Sequence, residues 1–224
     1  MHSSSPIMLI DHIFIFSDTE GSEADLLVEA GFAEGSSRIH PGQGTRNRKF
    51  YFDNFFLELL WVHDEEEIKR SAKRAHQQLW QRSQHKELGL SPLGLCLQNA
   101  KETDTLFQKA DSYQPDYFPA GKVIDILPNE AQPMLPWTFR LPFRDAKPKE
   151  GEPRDHPNGV RRLDRAIFGI PSENAKCEFV NQVDKIPGLA FREAAEPILT
   201  LDFDERKQKR EFFIPTPGGL LLRF

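Results

Sequence analysis

Along the first 62 residues, apolar runs and polar breaks alternate in a pattern that predicts a strand, a helix and three further strands. Ile7 to Phe16 is a β-rich run, apolar on both faces except at Asp11 and His12. Ser22 to Ala30 has helical spacing at Ala24, Leu27 and Val28 and stops at Gly31, a residue suited to a C-terminal cap. Phe32 to Ile39 is a short edge strand. The segment HPGQGTRN, residues 40–47, holds one proline and two glycines and reads as a loop. Lys49 to Phe52 and Phe55 to Val62 form a hairpin across Asp53-Asn54, a dipeptide tolerant of positive φ. The order is β-α-β-β-β.

Asp64 opens the next helix, with Glu67 three residues on to complete a capping box. Ile68, Ala72, Ala75 and Leu79 lay one apolar stripe along it as far as about Gln84. Leu93 to Gln98 begins another cycle, followed by a helix from Lys101 to Ala110 and strands at Lys122 to Leu127 and Trp137 to Phe143. Residues 144–159 are polar and rich in Pro and Gly, an exposed connection in which His156 is expected to be solvated. A final stretch gives a strand at Arg162 to Ile170 and a helix at Ser172 to Gln182. Strands follow at Leu189 to Arg192, Ile198 to Phe203, Glu211 to Ile214 and Leu220 to Phe224.

The strands LIDHIFIF (9–16) and RLDRAIFGI (162–170) share a pattern of apolar, Asp, basic, two apolar and Phe, each before a helix. Each module also ends in an apolar strand, FFLELLW at 55–61 and GLLLRF at 219–224. The expected organisation is a first βαβββ module at 1–63, a linker helix and loop at 64–92, a middle βαββ region and polar connection at 93–159, and a C-terminal βαβββ module at 160–224. A unit used twice places two half-barrels face to face across a cleft.

Composition narrows the function. The chain of 224 residues is 38% hydrophobic and 28% charged, ordinary for a globular protein able to bury a sizeable core. A formal net charge of -5 argues against nucleic acid as a partner. No apolar run approaches the ~20 residues that span a bilayer, so no membrane partner is expected. The N-terminus lacks the pattern of a signal peptide, and the two cysteines, Cys96 and Cys177, show no paired spacing; a cytoplasmic protein is expected. Eighteen Phe against three Tyr suit a dry, aromatic-walled interior.

Glu58 is the residue whose chemistry stands out. It lies in a strand with Phe56 and Leu60 on its own face and Leu57 and Leu59 on the other. A carboxylate there is largely desolvated and must find a metal, a cation or a proton. His12 reads as a ligand, an acid/base residue or a satisfied core histidine. In the HPGQGTRN loop, His40, Thr45 and Asn47 either line a pocket mouth or cap the turn's own backbone. The loop lacks the GK[ST] ending of a phosphate-binding loop, so no nucleotide cofactor is expected. Trp137 either floors a cavity or packs in the core. The acidic run Asp64 to Glu67 suits a helix N-terminus.

Together IDHIFIF, GF at 31–32, HPGQGTRN, FLELLWV at 56–62, PLGLCLQNAKETDTLF and HPNGVRRLDRAIFGIP resemble the glyoxalase-like domains of the vicinal oxygen chelate superfamily. The resemblance spans nearly the whole chain. It implies an α+β fold of paired βαβββ modules forming a curved, cup-shaped mixed sheet with outer helices. It places His12 and Glu58 inside the cup as adjacent ligands for a divalent metal. At the two equivalent positions of the C-terminal module the sequence has Arg165 and Arg223 instead, and a guanidinium cannot ligate a metal. These arginines are expected to pair with Glu58 or to clamp a substrate carboxylate or phosphate. The function implied is an enzyme, a lyase or isomerase, acting on a small carbonyl- or carboxylate-bearing molecule, with Glu58 and His12 catalytic. Its alternative is a non-catalytic protein that binds or sequesters a small molecule. A monomer and a homodimer both suit the resemblance.

Overall fold

The computed structural model describes residues 8–75, 78–115, 118–128, 131–144 and 150–224, without the side chains of residues 72–75. Ile7, the side chains of Ala72 and Ala75, and part of the polar connection at 144–159 therefore lie outside the described residues.

The opening segment folds in the order its pattern predicts. β1 (Ile10–Phe16) leads to α1 (Glu23–Glu29), then β2 (Arg38–His40), β3 (Thr45–Tyr51) and β4 (Phe56–Val62). β2 is shorter than the apolar pattern suggested, and β3 begins at Thr45, inside the expected loop. Thr45, Asn47, Lys49 and Tyr51 alternate with Phe50 and the exposed Arg46, so the second half of HPGQGTRN is strand. The turn itself is Pro41 to Gly44. Gly44 has φ +72°, and a Cβ there would come within 2.4 Å of the Ile68 backbone nitrogen. Only glycine lets this turn lie against the helix that follows.

That helix is α2 (Glu65–Ala75), and two short helices, α3 (Leu79–Ser83) and α4 (His85–Leu88), follow. Asp64 caps α2 by accepting from the Glu67 amide at 2.9 Å. The Glu67 carboxylate does not return to the cap; it accepts from the Gly42 amide at 2.7 Å and ties the turn to the helix.

The middle region holds β5 (Leu93–Asn99), α5 (Lys101–Asp104), β6 (Asp111–Tyr113), β7 (Ile124–Ile126) and β8 (Trp137–Arg144). With β6, which its polar residues concealed, it is a full βαβββ unit. This region, and not the C-terminal one, pairs with the first module. The eight-stranded sheet runs β2-β3-β4-β1-β5-β8-β7-β6. β1 is parallel to β4 and β5 to β8, and β1 meets β5 antiparallel at the seam. The cup of paired βαβββ modules is thus complete by Arg144.

The C-terminal strands form a second, five-stranded sheet, β10-β9-β11-β13-β12, from β9 (Leu163–Ile170), β10 (Leu189–Glu193), β11 (Ile198–Phe203), β12 (Glu211–Ile214) and β13 (Leu220–Arg223); α6 (Glu178–Val183) joins β9 to β10. β9 and β13 do not touch each other in the sheet, because β11 lies between them. This sheet packs behind the first. Ile13, Ile15, Leu57, Leu59, Leu95 and Leu97 share one core with Phe168, Leu199, Leu201, Leu220 and Leu222. The Asn54 side chain completes the junction as a strand would, accepting from Leu163 N at 3.0 Å and donating to Leu163 O at 2.8 Å.

His156 is part of this junction and not a solvated loop residue. It lies between the Phe32 and Phe52 rings, 5.4 and 4.7 Å away, and its Nδ1 accepts from Ala33 N at 2.9 Å. Burial pulls its pKa below the ordinary 6.5. The folded protein therefore holds a neutral imidazole while the unfolded chain takes up a proton, so stability falls as pH drops below 6.5. His156→Gln is expected to cost about 1–3 kcal/mol at pH 8 and to flatten the loss between pH 7 and pH 5. Urea unfolding across that range checks this; an unchanged acid slope contradicts it.

Candidate functional site

One face of the eight-stranded sheet remains for a ligand. It encloses a cavity of about 590 Å³ whose lining includes His12, His40, Asn47, Lys49, Glu58, Trp137 and Phe139. Register places the floor residues in rows. Lys49, Glu58, Phe14, Gly94 and Trp137 are successive cross-strand partners, as are Tyr51, Phe56, His12, Cys96 and Phe139. A Cβ at Gly94 would lie 2.0 Å from the Phe14 ring, so the glycine is where that ring crosses β5.

A register shift in the β1–β5 pairing between Ile10 and His12 breaks the alternation of β1. Asp11 and His12, adjacent in sequence, both line the cavity as a result. Asp11 Oδ1 lies 2.6 Å from His12 Nδ1, and the imidazole stacks on Phe56 at 4.4 Å. With Nδ1 engaged and the ring held flat, Nε2 is the atom directed at Glu58, 4.0 Å from Oε2. That separation is too long for a direct hydrogen bond.

The other Glu58 oxygen is fixed. Asn47 Nδ2 donates to Oε1 at 2.5 Å, and Asn47 Oδ1 accepts from Arg38 N at 2.8 Å, which sets the amide's orientation. His40 Nε2 lies 3.4 Å from Asn47 Nδ2. For Nδ2 to donate there, His40 must be neutral with its proton on Nδ1, facing Thr45 Oγ1 at 2.9 Å. Burial lowers the His40 pKa, against the pull of the Glu58 charge, and so favours that neutral form. Thr45 stands behind this chain and accepts from Gln43 Nε2 at 2.8 Å.

Arg165 and Arg223 are elsewhere. They sit on β9 and β13 of the second sheet, both opposite Asp202 of β11, and neither lines the cavity. Arg223 makes a two-pronged pair with Asp202 at 2.5 and 2.8 Å, and Arg165 is exposed. The expectation that they face Glu58 fails because the cup's second module is the middle region. The strands that occupy the ligand-bearing places there, β5 and β8, put Gln98, Trp137, Phe139 and Leu141 in the cavity lining, with the fully buried Cys96 packed among the rings on that face.

The residues do not fit a resident divalent metal. His12 and Glu58 supply two ligands, and the strands opposite them add rings and a thiol. Asp11, His12 and Cys96 do bring ligand atoms within 4.8 Å of one another. Asp11 Oδ1, however, is already engaged by His12 Nδ1, and burial pushes the Cys96 thiol well up, which opposes the thiolate that a metal would need. Three residues here, Lys49, Asp11 and Cys96, were not expected at the site. Lys49 was legible by alternation from Asn47, whereas Asp11 needed the bulge and Cys96 the β1–β5 register.

The paired βαβββ cup is the fold of vicinal oxygen chelate proteins. Within that class the chain belongs to the glyoxalase-like domain family, whose model matches residues 10–179, the whole cup and the start of the second sheet. No curated protein matches the chain in sequence. Among solved structures, a hypothetical protein from Staphylococcus aureus is similar over 96% of this chain and 98% of its own, with 12% identity and a TM-score of 0.60. That likeness shows the fold alone. Methylmalonyl-CoA epimerase from Mycobacterium tuberculosis matches 63% of this chain and 93% of its own at 15% identity and TM-score 0.35. A xylose isomerase-like TIM barrel/4-hydroxyphenylpyruvate dioxygenase fusion protein matches 93% of this chain and 39% of its own, at 9% identity and TM-score 0.47. Among the described residues no helix is long and apolar enough to cross a membrane.

Two outcomes follow from this geometry. Asn47→Leu removes the donor to a buried carboxylate and is expected to destabilise by about 1–3 kcal/mol; in a Glu58→Leu background the cost shrinks, a coupling that thermal unfolding of the four proteins measures. Exhaustive chelation is expected to leave the unfolding temperature unchanged, and a drop restored by one equivalent of zinc or manganese contradicts the donor-set argument.

Proposed function

We propose that the protein is an enzyme of the lyase or isomerase kind, in which Glu58 takes a proton from the carbon beside a carbonyl of a small bound molecule. The electron pair left on that carbon moves to the carbonyl oxygen as an enolate, and the same carboxyl returns the proton to the substrate or to a rearranged product. The observation that carries this is the division of labour between the Glu58 oxygens: Oε1 is held by Asn47, while Oε2 has the cavity and His12 Nε2 before it. A base held by one oxygen is oriented without being consumed by its support. Lys49, the cross-strand partner of Glu58, supplies positive charge for the developing enolate. His12, oriented by Asp11, takes or gives a proton at Nε2. His40, Thr45 and Asn47 form the support behind the base, and the two free cysteines, Cys96 and Cys177, suit a reducing compartment such as the cytoplasm.

The apolar wall of Phe14, Trp137 and Phe139 favours a second reading, a non-catalytic protein that holds a flat ligand. Incubation with small ketones and 2-oxo acids in D2O, followed by proton NMR, separates the two. The enzyme reading expects deuterium at the α-carbon with wild type and at least a hundred-fold slower exchange with Glu58→Gln, whose folding is unchanged. Binding with no exchange supports the second reading, and exchange that survives Glu58→Gln removes Glu58 as the base.

A further inference from the structure

The cavity is chemically polarised, and its two ends together name a ligand. Among the described residues its lining holds four cationic side chains, Arg38, Lys49, Arg154 and Arg162, against two carboxylates, Asp11 and Glu58. This excess of positive charge is found in a chain whose net charge is -5. A partly enclosed site lined by an excess of one sign concentrates ligands of the other. An anion is favoured over a neutral molecule or a cation.

The opposite end is made of rings. Along the floor row, Glu58 on β4 and Trp137 on β8 are three strand spacings apart, about 14 Å. Between them Phe14 lies over Gly94 and reaches Trp137 at 6.1 Å and Phe139 at 6.4 Å, while Trp137 and Phe139 are 4.6 Å apart. At the lip, Phe118 and Phe143 meet edge to face at 5.3 Å, and Phe143 is 41% exposed although it lines the cavity. Apolar surface left open at the mouth of an otherwise aromatic compartment is surface that a ligand covers. Aromatic rings prefer offset and edge-on contacts, and the ring of a ligand gains the same contacts when it joins such a set.

We propose that the ligand is a ring-bearing carboxylate, with its acidic end on the β2–β3 side of the cavity, where Arg38 and Lys49 line it, and its ring against Phe14, Trp137 and Phe139. This rests on reading the cavity as a small-molecule site and is independent of whether Glu58 is a base. The head must lie within reach of Lys49 and the ring some 6–10 Å farther along the floor row, which a spacer of two to three carbons spans.

Three matched probes test it: 4-phenyl-2-oxobutanoate, with ring and carboxylate; 2-oxobutanoate, without the ring; and 4-phenylbutan-2-one, without the carboxylate. Calorimetric titration is expected to give the first probe at least about ten-fold tighter binding than either of the others. Lys49→Met should reduce its affinity toward that of the ketone, and Phe139→Ala toward that of 2-oxobutanoate. Binding should also quench tryptophan fluorescence in wild type, with most of the quench lost in Trp137→Phe, a change that keeps a ring in place and so guards against a misfolded Phe139→Ala. Equal affinities for the three probes, no binding of the first, or a quench that persists in Trp137→Phe overturns the proposal. The α-deuteration of the same probes keeps it distinct from the catalytic reading. Tight binding of the first probe without exchange upholds the ligand class and defeats the base. Exchange of 2-oxobutanoate with no preference for the ring does the reverse.

Discussion

β1 has no face turned to solvent. On one side Ile13 and Ile15 enter the core shared with the second sheet; on the other, His12 and Phe14 enter the cup. The seam with β5 and the parallel pairing with β4 fix its edges. A strand confined on all sides can carry polar groups only where each is given a partner. This constraint decides the rest of the site. Asp11 answers for His12 Nδ1, Asn47 for Glu58 Oε1 and Arg38 N for Asn47 Oδ1, so that these atoms are committed before a ligand arrives while Glu58 Oε2 and His12 Nε2 face the cavity. The second sheet is what permits it, since without that backing the apolar outer residues of β1, β4 and β5 would face water.

The first module was legible because its signals are local. The alternation in β4, the helix stop at Gly31 and the cap at Asp64 each act over a few residues, and each appears where the pattern placed it. The pairing of modules was not legible, for a physical reason. RLDRAIFGI resembles LIDHIFIF because both are interior strands that turn one apolar face to the shared core, and that pattern is the same whichever sheet the strand serves. The true partner of β1 is LGLCLQN, which has no charged residue to advertise it, and its module is closed by the three-residue β6, DSY, which has no apolar alternation at all. Sheet order is a long-range property, and the spacing within one strand does not contain it. The placement of Arg165 and Arg223 failed for this reason, while the strand at β4 followed from its own residues; the HPGQGTRN segment, expected to be a loop, is a loop only as far as Gly44.

Asp11 illustrates the limit in one residue. Strict alternation turns Asp11 away from His12, into the apolar core, where an unpaired carboxylate costs several kcal/mol. The register shift between Ile10 and His12 rotates it to the cavity side and makes it the partner of its own neighbour. A bulge is a property of two strands together, set by how β1 and β5 accommodate each other. The Asp-His dipeptide signals trouble in an apolar strand but does not say how it is resolved.

The ring wall and the missing ligands are two aspects of one arrangement. The resemblance implies four ligands, two from each module, and the β5 and β8 positions that turn toward the cavity are those that a metal site would have to use. Gly94 gives up its side chain so that Phe14 can lie across β5, and Trp137 and Phe139 fill the place beyond. A metal ligand at Gly94 is sterically incompatible with the Phe14 ring, because even a Cβ would collide with it. Glu58 is oriented instead by an amide from its own module, and Lys49, its cross-strand partner on β3, adds a positive charge to the same row. The charged groups Asp11, Lys49 and Glu58 all come from the first module, whereas β8 of the second contributes the rings of Trp137 and Phe139, and Phe14 of β1 bridges the two along the row from Lys49 to Trp137.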